Sequence, residues 1–520
     1  MRYVFFLSAL ALSGNVSSQT IQWEKSFGGS STEIAFKVTG TTDGGYLIAG
    51  TTESNNGDLI GNHGSSDIWL LKLNSAGVKQ WQKCLGGMNA DGVSSLERTA
   101  SGGYILAGNT MSNGAKNSSQ VFGNRGNQDI WIVNVDSNGE IEWRQCYGGC
   151  DRDDVRAIRQ ASDGNFLVVG GTLSDNTGEV FGAHGNWDAW MLKIDPAGAL
   201  LWQKTIGGSG IDYFYDIAET SNGNLILSGL TSSVNEDLAG NINKGVEDVW
   251  IAQCSPIGDL IWSKTFGGSD YDGARGMCLA TDNSIMVVGV TYSSDGDVTG
   301  FHGGNDVWVL RLDAFGDLLW QKTFGGSDNE SGFSIFQRTD NDFILSGETS
   351  SFDGDIVGNH GGTDALVMKI DKNGNLKTQI CLGGSDQDFA RNAIKGNASE
   401  IIVGGTSNSE DGDVSQNFGS SDIWVVNLGI TLGLKPESPN AEDFRMNLIP
   451  NPANDLVQIV TDFSGFKQVE IFDAGGQLIQ SHDMDGLNKT IQVGSLPVGM
   501  FLVRLVVESG QVFSAKFVKE

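Results

Sequence analysis

Carboxylates recur in this chain at one fixed place. Five residues after the first glycine of a Gly-Gly pair, seven stretches each carry an acid: Glu33, Asp91, Asp153, Asp212, Asp272, Glu330 and Asp388. Clustered carboxylate oxygens suit hard cations, so a fold that gathered this set would attract or hold calcium. The competing reading is that each acid accepts hydrogen bonds from its own turn, which strict repetition favours. A second loop reads Gly-Asp-x-x-Gly-x-His-Gly-x-x-Asp in its clearest copies and holds His63, His184, His302 and His360, four of the five histidines. Imidazole beside carboxylate can bind a transition metal, but one histidine per repeat keeps such ligands apart. The Asp-Gly-Asp pieces resemble half a calcium loop without the full spacing.

The sharpest departure from repetition is aromatic. Trp187 stands where the other copies have Ser, Gln, Glu, Asn or Thr, and Tyr213, Phe214 and Tyr215 follow Asp212. Exposed rings beside a carboxylate suit stacking on a sugar with the acid on its hydroxyls, so Trp187, Asp212, Tyr213 and Tyr215 form the expected ligand site. The alternative places Phe214 and one tyrosine in the core. The stretch 111–121 is a longer loop with no readable chemistry. No nucleophile elbow, HExxH, phosphate loop or dinucleotide fingerprint occurs. Every prominent acid belongs to a repeated set, so none stands out as half of a glycosidase pair.

What must position these groups is a repeat. Trp-x-Lys-x-Phe-Gly-Gly, with variation, starts at Trp23, Trp81, Trp143, Trp202, Trp262 and Trp320 and weakens at Thr378, at spacings of 58 to 62 residues. Inside each unit lies Asp-x-Trp, with Asp67, Asp129, Asp188, Asp248, Asp306, Asp364 and Asp422; the aromatic fails once, at Leu366. Each unit divides into four short extended runs separated by Gly- and Asn-rich turns, apolar on both faces. Four-stranded units covered on both sides predict a seven-bladed β-propeller rather than an open array, which needs atypical ends. The ends here are complementary. A lone fourth-type strand at 21–27 opens the sequence and the last repeat stops after its third strand, so the amino-terminal strand is expected to close the seventh blade.

The bulk properties agree. There are 73 Gly, 7 Pro, 13 Trp and 25 Phe, and the formal net charge is -30. Abundant glycine with ample apolar residues means many tight turns between packed strands. The acidity disfavours nucleic acid and anionic lipid as partners. Arg2 and the apolar run 3–12, followed by Val16, Ser17 and Ser18, predict a signal peptide over 1–18, too short to span a bilayer. Export permits disulfides among Cys84, Cys146, Cys150, Cys254, Cys278 and Cys381, with no pairing favoured.

The repeat ends at Leu428. A linker over 429–446 leads to a different β pattern over 447–520: LIPNPA with Pro450, Asn451 and Pro452, then VEIFDAGG with Gly475, LPVGMFLV with Gly499, and a basic end with Lys516 and Lys519. At these residues the chain resembles the type A C-terminal sorting domain of the type IX secretion system, with Met500 and Glu520 as small departures. The resemblance implies a small β-sandwich handled by an outer-membrane translocon, a Gram-negative host and a cell-surface or secreted destination.

The sequence therefore predicts an exported all-β protein: signal peptide 1–18, propeller 19–428, linker 429–446 and sorting domain 447–520. Its expected role is a binding or structural module for a glycan or protein ligand. The alternatives are a polysaccharide hydrolase or lyase using loop carboxylates, or a purely structural adhesin.

Overall fold

The computed structural model describes residues 16–114, 120–397, 400–433, 447–449, 452–460, 466–473, 478–483, 490–507 and 512–519. Residues 1–15, which hold most of the expected signal peptide, lie outside them. The chain divides into two compact units, Val16–Leu432 and a second that contains Gly433–Glu520.

In the first unit the alternation of apolar runs and glycine turns yields seven four-stranded antiparallel sheets, each in sequence order. Blade 1 consists of Glu33–Gly40, Tyr46–Thr52, Asp67–Leu73 and Lys79–Leu85. Its third strand, DIWLLKL, is buried at every position because neighbouring blades cover both its faces. The innermost strands are Glu33–Gly40, Asp91–Arg98, Asp153–Gln160, Asp212–Glu219, Asp272–Leu279, Glu330–Gln337 and Asp388–Lys395. Each packs against the next, and the last returns to the first, so the circle is complete. This is a seven-bladed β-propeller.

Closure follows the expected route. The seventh sheet orders Val16–Phe27 beside Asp422–Gly433, then Ile401–Ser407 and Asp388–Lys395. The Trp424 indole donates to Glu24 Oε2 at 2.9 Å across the junction of the two chain ends. The lending strand begins at Val16, inside the expected leader. The strand from Asp422 runs on to Gly433, past the expected linker start at 429. Pairing with each other extends both strands beyond the repeat motif.

Two devices join the blades. At each junction the backbone N–H of the opening acid donates to the carbonyl just before the previous blade's Asp-x-Trp, as Glu33 to Ser421 and Asp212 to Trp187, both at 2.8 Å. On the outer rim, each Trp of the Trp-x-Lys motif lies on the turn glycine of the next blade's last hairpin. Trp23 covers Gly77, Trp81 covers Gly139 and Trp320 covers Gly374, leaving no room for a Cβ. These glycines have φ of 75° to 85°, a region other residues enter at a cost, so turn geometry and packing both demand glycine. The weakened seventh copy now has a physical reason. Blade 7 takes its outer strand from the other chain end and has no such hairpin, so Thr378 has no turn to cover.

Asp-x-Trp supplies the core. Trp69, Trp131, Trp190, Trp250, Trp308 and Trp424 are all fully buried. All six cysteines are free, and Cys150 alone is exposed.

In the second unit, Leu478–Asp483, Phe466–Asp473, Gly499–Val507 and Val512–Lys519 form one sheet, and Asn447–Ile449, Leu456–Val460 and Thr490–Gln492 another. Val457, Ile459, Val469, Ile471 and Val503 fill the core. Of the expected sorting residues, Pro450, Asn451 and Gly475 lie outside the described residues. Pro452 is exposed, Gly499 opens its strand opposite Lys519, and Lys516 pairs with Leu502. Among the described residues no helix is long and apolar enough to cross a membrane.

Candidate functional site

The seven opening acids are buried in their own turns. Asp212 accepts from the Gly208 N–H and the Ser233 hydroxyl, each at 2.8 Å, and from the Thr231 hydroxyl. Asp91, Asp153 and Asp272 repeat this set, as at the Gly87, Gly149 and Gly268 N–H groups. Glu33 and Glu330 reach the equivalent glycine and threonine, and Asp388 binds Gly384 and Ser409. Most of their oxygens are engaged by nearby turns, while Asp388 Oδ1 has no hydrogen-bond partner among the described residues. Among the described residues no three His, Cys, Asp or Glu side chains form a group able to hold a metal ion. The seven acids, Asp212 included, are held within turns and do not gather into one group among the described residues.

Asp-x-Trp supplies a second buried acid at each junction. Its Oδ2 accepts the N–H four residues earlier, as Asp67 from His63 and Asp129 from Arg125, both at 3.0 Å. His63, His302 and His360 also bring Nδ1 to the same oxygen at 2.6–2.8 Å. These histidines brace their own loops rather than gather on a metal.

The aromatic break gathers a cluster of rings between blades 3 and 4. Trp187 and Tyr213 have ring centroids 5.3 Å apart, and Tyr213 and Tyr215 are 5.6 Å apart. Tyr213 is buried against Gly171, so it supports the cluster from below. Phe214 is fully buried and stacks on Trp250 at 4.2 Å, as the core alternative anticipated. Trp187 and Tyr215 remain half-exposed.

Arginines that sequence reading did not single out complete the cluster. The Arg152 guanidinium lies 5.6 Å over Trp187, and Arg156 lies 5.1 and 5.2 Å over Tyr213 and Tyr215. Asp154 takes two hydrogen bonds from Arg152, each 3.1 Å, and also accepts from Gln128. Tyr271 and Tyr292 of blade 5 meet edge to face at 5.8 Å, and burial pushes the Tyr271 hydroxyl up to about 12.

A shared backbone irregularity aims these groups inward. Each innermost strand breaks register three residues after its acid. Such a bulge re-aims one side chain. The residues at that position are Phe36, Ser94, Arg156, Tyr215, Arg275, Phe333 and Arg391, all half-buried. Deeper in, Arg159 pairs with Asp216 at 2.8 Å. Burial, with the Arg159 charge nearby, lowers the Lys37 ammonium to about 8.

Comparison with known proteins adds the following. Residues 447–520 match the secretion system C-terminal sorting domain. The regulatory protein FlaEY of Caulobacter vibrioides is 26% identical over 373 residues, covering 63% of this chain and 37% of its own length. The chain thus spans well under half of the curated relative it matches. Among solved structures, the Pan2 WD40 domain of Neurospora crassa is 11% identical with a TM-score of 0.42, covering 79% of this chain and 96% of its own. A Bacteroides caccae protein of unknown function is 12% identical with a TM-score of 0.33, covering 58% and 93%. The Synechocystis apocarotenoid oxygenase, as a Glu150Asp mutant, is 14% identical with a TM-score of 0.37, covering 80% and 94%. The sorting domain marks the protein for type IX secretion to the cell surface or the extracellular space.

Proposed function

We propose that this exported propeller is a glycan-binding module whose site is the aromatic cluster at the channel mouth, with residues 1–18 serving as the signal for the first membrane crossing. The observation that carries the reading is that Trp187 and Tyr215 stay half-exposed on a rigid support, Tyr213, while arginines steady their flanks. A sugar ring stacks on an indole or phenol face through its C–H groups, and a preformed platform spares the entropy of ordering it.

The test is calorimetry of the mature chain against an oligosaccharide panel, for the wild type and Trp187→Ala and Tyr215→Ala. The expected result is binding that each substitution weakens about tenfold, or about 1.4 kcal/mol. Sugar binding that both variants retain at full strength removes this site.

A further inference from the structure

Resting on that reading, we infer that the channel selects anionic sugars, those bearing carboxylate or sulfate, through Arg156, Arg275 and Arg391. The chain has 33 basic and 63 acidic residues, yet three of its seven bulge positions, all on innermost strands, are arginine. Three cationic side chains thus share the innermost strands of an otherwise acidic chain.

These arginines are held by ring faces. Arg275 and Arg391 lie over the one Phe333 ring, at 5.6 and 4.5 Å, and Arg391 also covers Phe389 at 4.8 Å. Arg156 sits over two tyrosines. Stacking occupies the flat face of a guanidinium and leaves its N–H edge open, the edge that matches a carboxylate or sulfate in a two-point bond.

Part of that edge is left unsatisfied. The Nε of each of the three is buried and without a hydrogen-bond partner among the described residues. Arg156 has Asp154 at 3.8 Å, but Arg152 already holds that carboxylate. Around Arg275 and Arg391 the facing acid is Glu348, one carboxyl between two guanidiniums, and its Oε2 is likewise buried and unpartnered. Burial pushes the Glu348 carboxyl above its ordinary range, which weakens it further as a counter-ion. Partly buried guanidinium groups without full pairing are costly, and an arriving anion supplies what is missing. The acidic exterior repels polyanions elsewhere, so binding is confined to this point.

The test uses the mature chain with three probes in about 0.1 M salt: tetragalacturonate, a sulfated tetrasaccharide and a neutral galactotetraose. The proteins are wild type, Arg275→Gln/Arg391→Gln, Arg391→Lys and Trp187→Ala. The expected result is at least tenfold tighter binding of one or both anionic probes than of the neutral one. The double variant should erase that preference without touching neutral binding, and Arg391→Lys should keep part of it. Trp187→Ala should weaken all probes alike. Equal affinity for all three probes, unchanged in the double variant, overturns the anion inference and leaves the glycan site standing. Anion binding lost in the double variant but intact in Trp187→Ala supports the inference and removes the aromatic site. Thermal melting of each variant separates lost binding from lost folding, and Arg391→Lys decides the matter if the double variant unfolds.

Discussion

Raising the pH from 5 to 8 should destabilise the propeller, and Asp129→Asn should remove part of that loss. Asp129 Oδ1 and Asp153 Oδ2 stand 2.7 and 2.6 Å from the point where a Gly148 Cβ would be, so two buried carboxyls crowd one glycine. Asp129 Oδ1 has no hydrogen-bond partner among the described residues. Burial, together with the Asp153 charge, raises its carboxyl from 3.8 to about 7. The folded state therefore holds this proton more tightly than the unfolded chain does. Its stabilisation is fully present below the unfolded value near 3.8 and is lost as pH rises through about 7. At about 1.4 kcal/mol per pH unit, the interval sets a ceiling on the order of 4 kcal/mol. An asparagine mimics the protonated acid and turns Nδ2, a donor, toward Asp153. Between pH 5 and 8 about two of those units are lost, roughly 2.7 kcal/mol, and over some 400 residues at about 2.1 cal/mol/K each this corresponds to a melting shift of about 3 °C. Calorimetric melting across pH 5 to 8 reads it. The variant should lie nearest the wild type at pH 5, exceed it by more at pH 8 and show a flatter profile. A variant that melts below the wild type at pH 8 with an unchanged pH slope refutes the reasoning. Asp422, raised to about 7, and Asp248, raised to about 6, give the same prediction at other junctions.

Gly139→Ala should cost about 1–2 kcal/mol from its positive φ alone, and more from collision with Trp81, read as a lower melting temperature. Trp320→Ala should destabilise by about 2 kcal/mol or more through the lost rim contact, whereas Thr378→Trp should give no stabilisation because blade 7 offers no hairpin there; paired melts check both. Removing residues 16–27 should leave Asp422–Gly433 as an open edge and cause aggregation, and a synthetic peptide of those residues should restore a cooperative melt.

Much of the architecture was readable because each motif reports a local necessity. Gly-Gly marks a turn packed against two carboxyls, Asp-x-Trp marks a strand buried on both sides, and the missing fourth strand marks the closure. The acids were harder to read. Spacing placed Glu33 and its equivalents together but could not say which way their oxygens face, and the hydroxyls that capture them, such as Thr231 and Ser233, stand about 20 residues downstream. The arginines were hidden for a different reason. A bulge leaves no trace in apolar periodicity, so Arg156, Arg275 and Arg391 looked like ordinary polar positions until the backbone turned them inward. Trp187 and Tyr215 were legible because they break a pattern, while Tyr213 was misplaced because alternation cannot tell a shielded ring from an open one.

Because the first strand of the ring and its mate lie some 400 residues apart in the chain, closure doubles as a length check. Synthesis from the amino end makes the first strand long before its mate, Asp422–Gly433, exists. A truncated or stalled product keeps a raw edge and remains a target for proteases. An intact one seals itself only about a dozen residues before the sorting domain begins at 447. Completion of the cargo and presentation of its address label are thereby tied to the same final stretch of polypeptide.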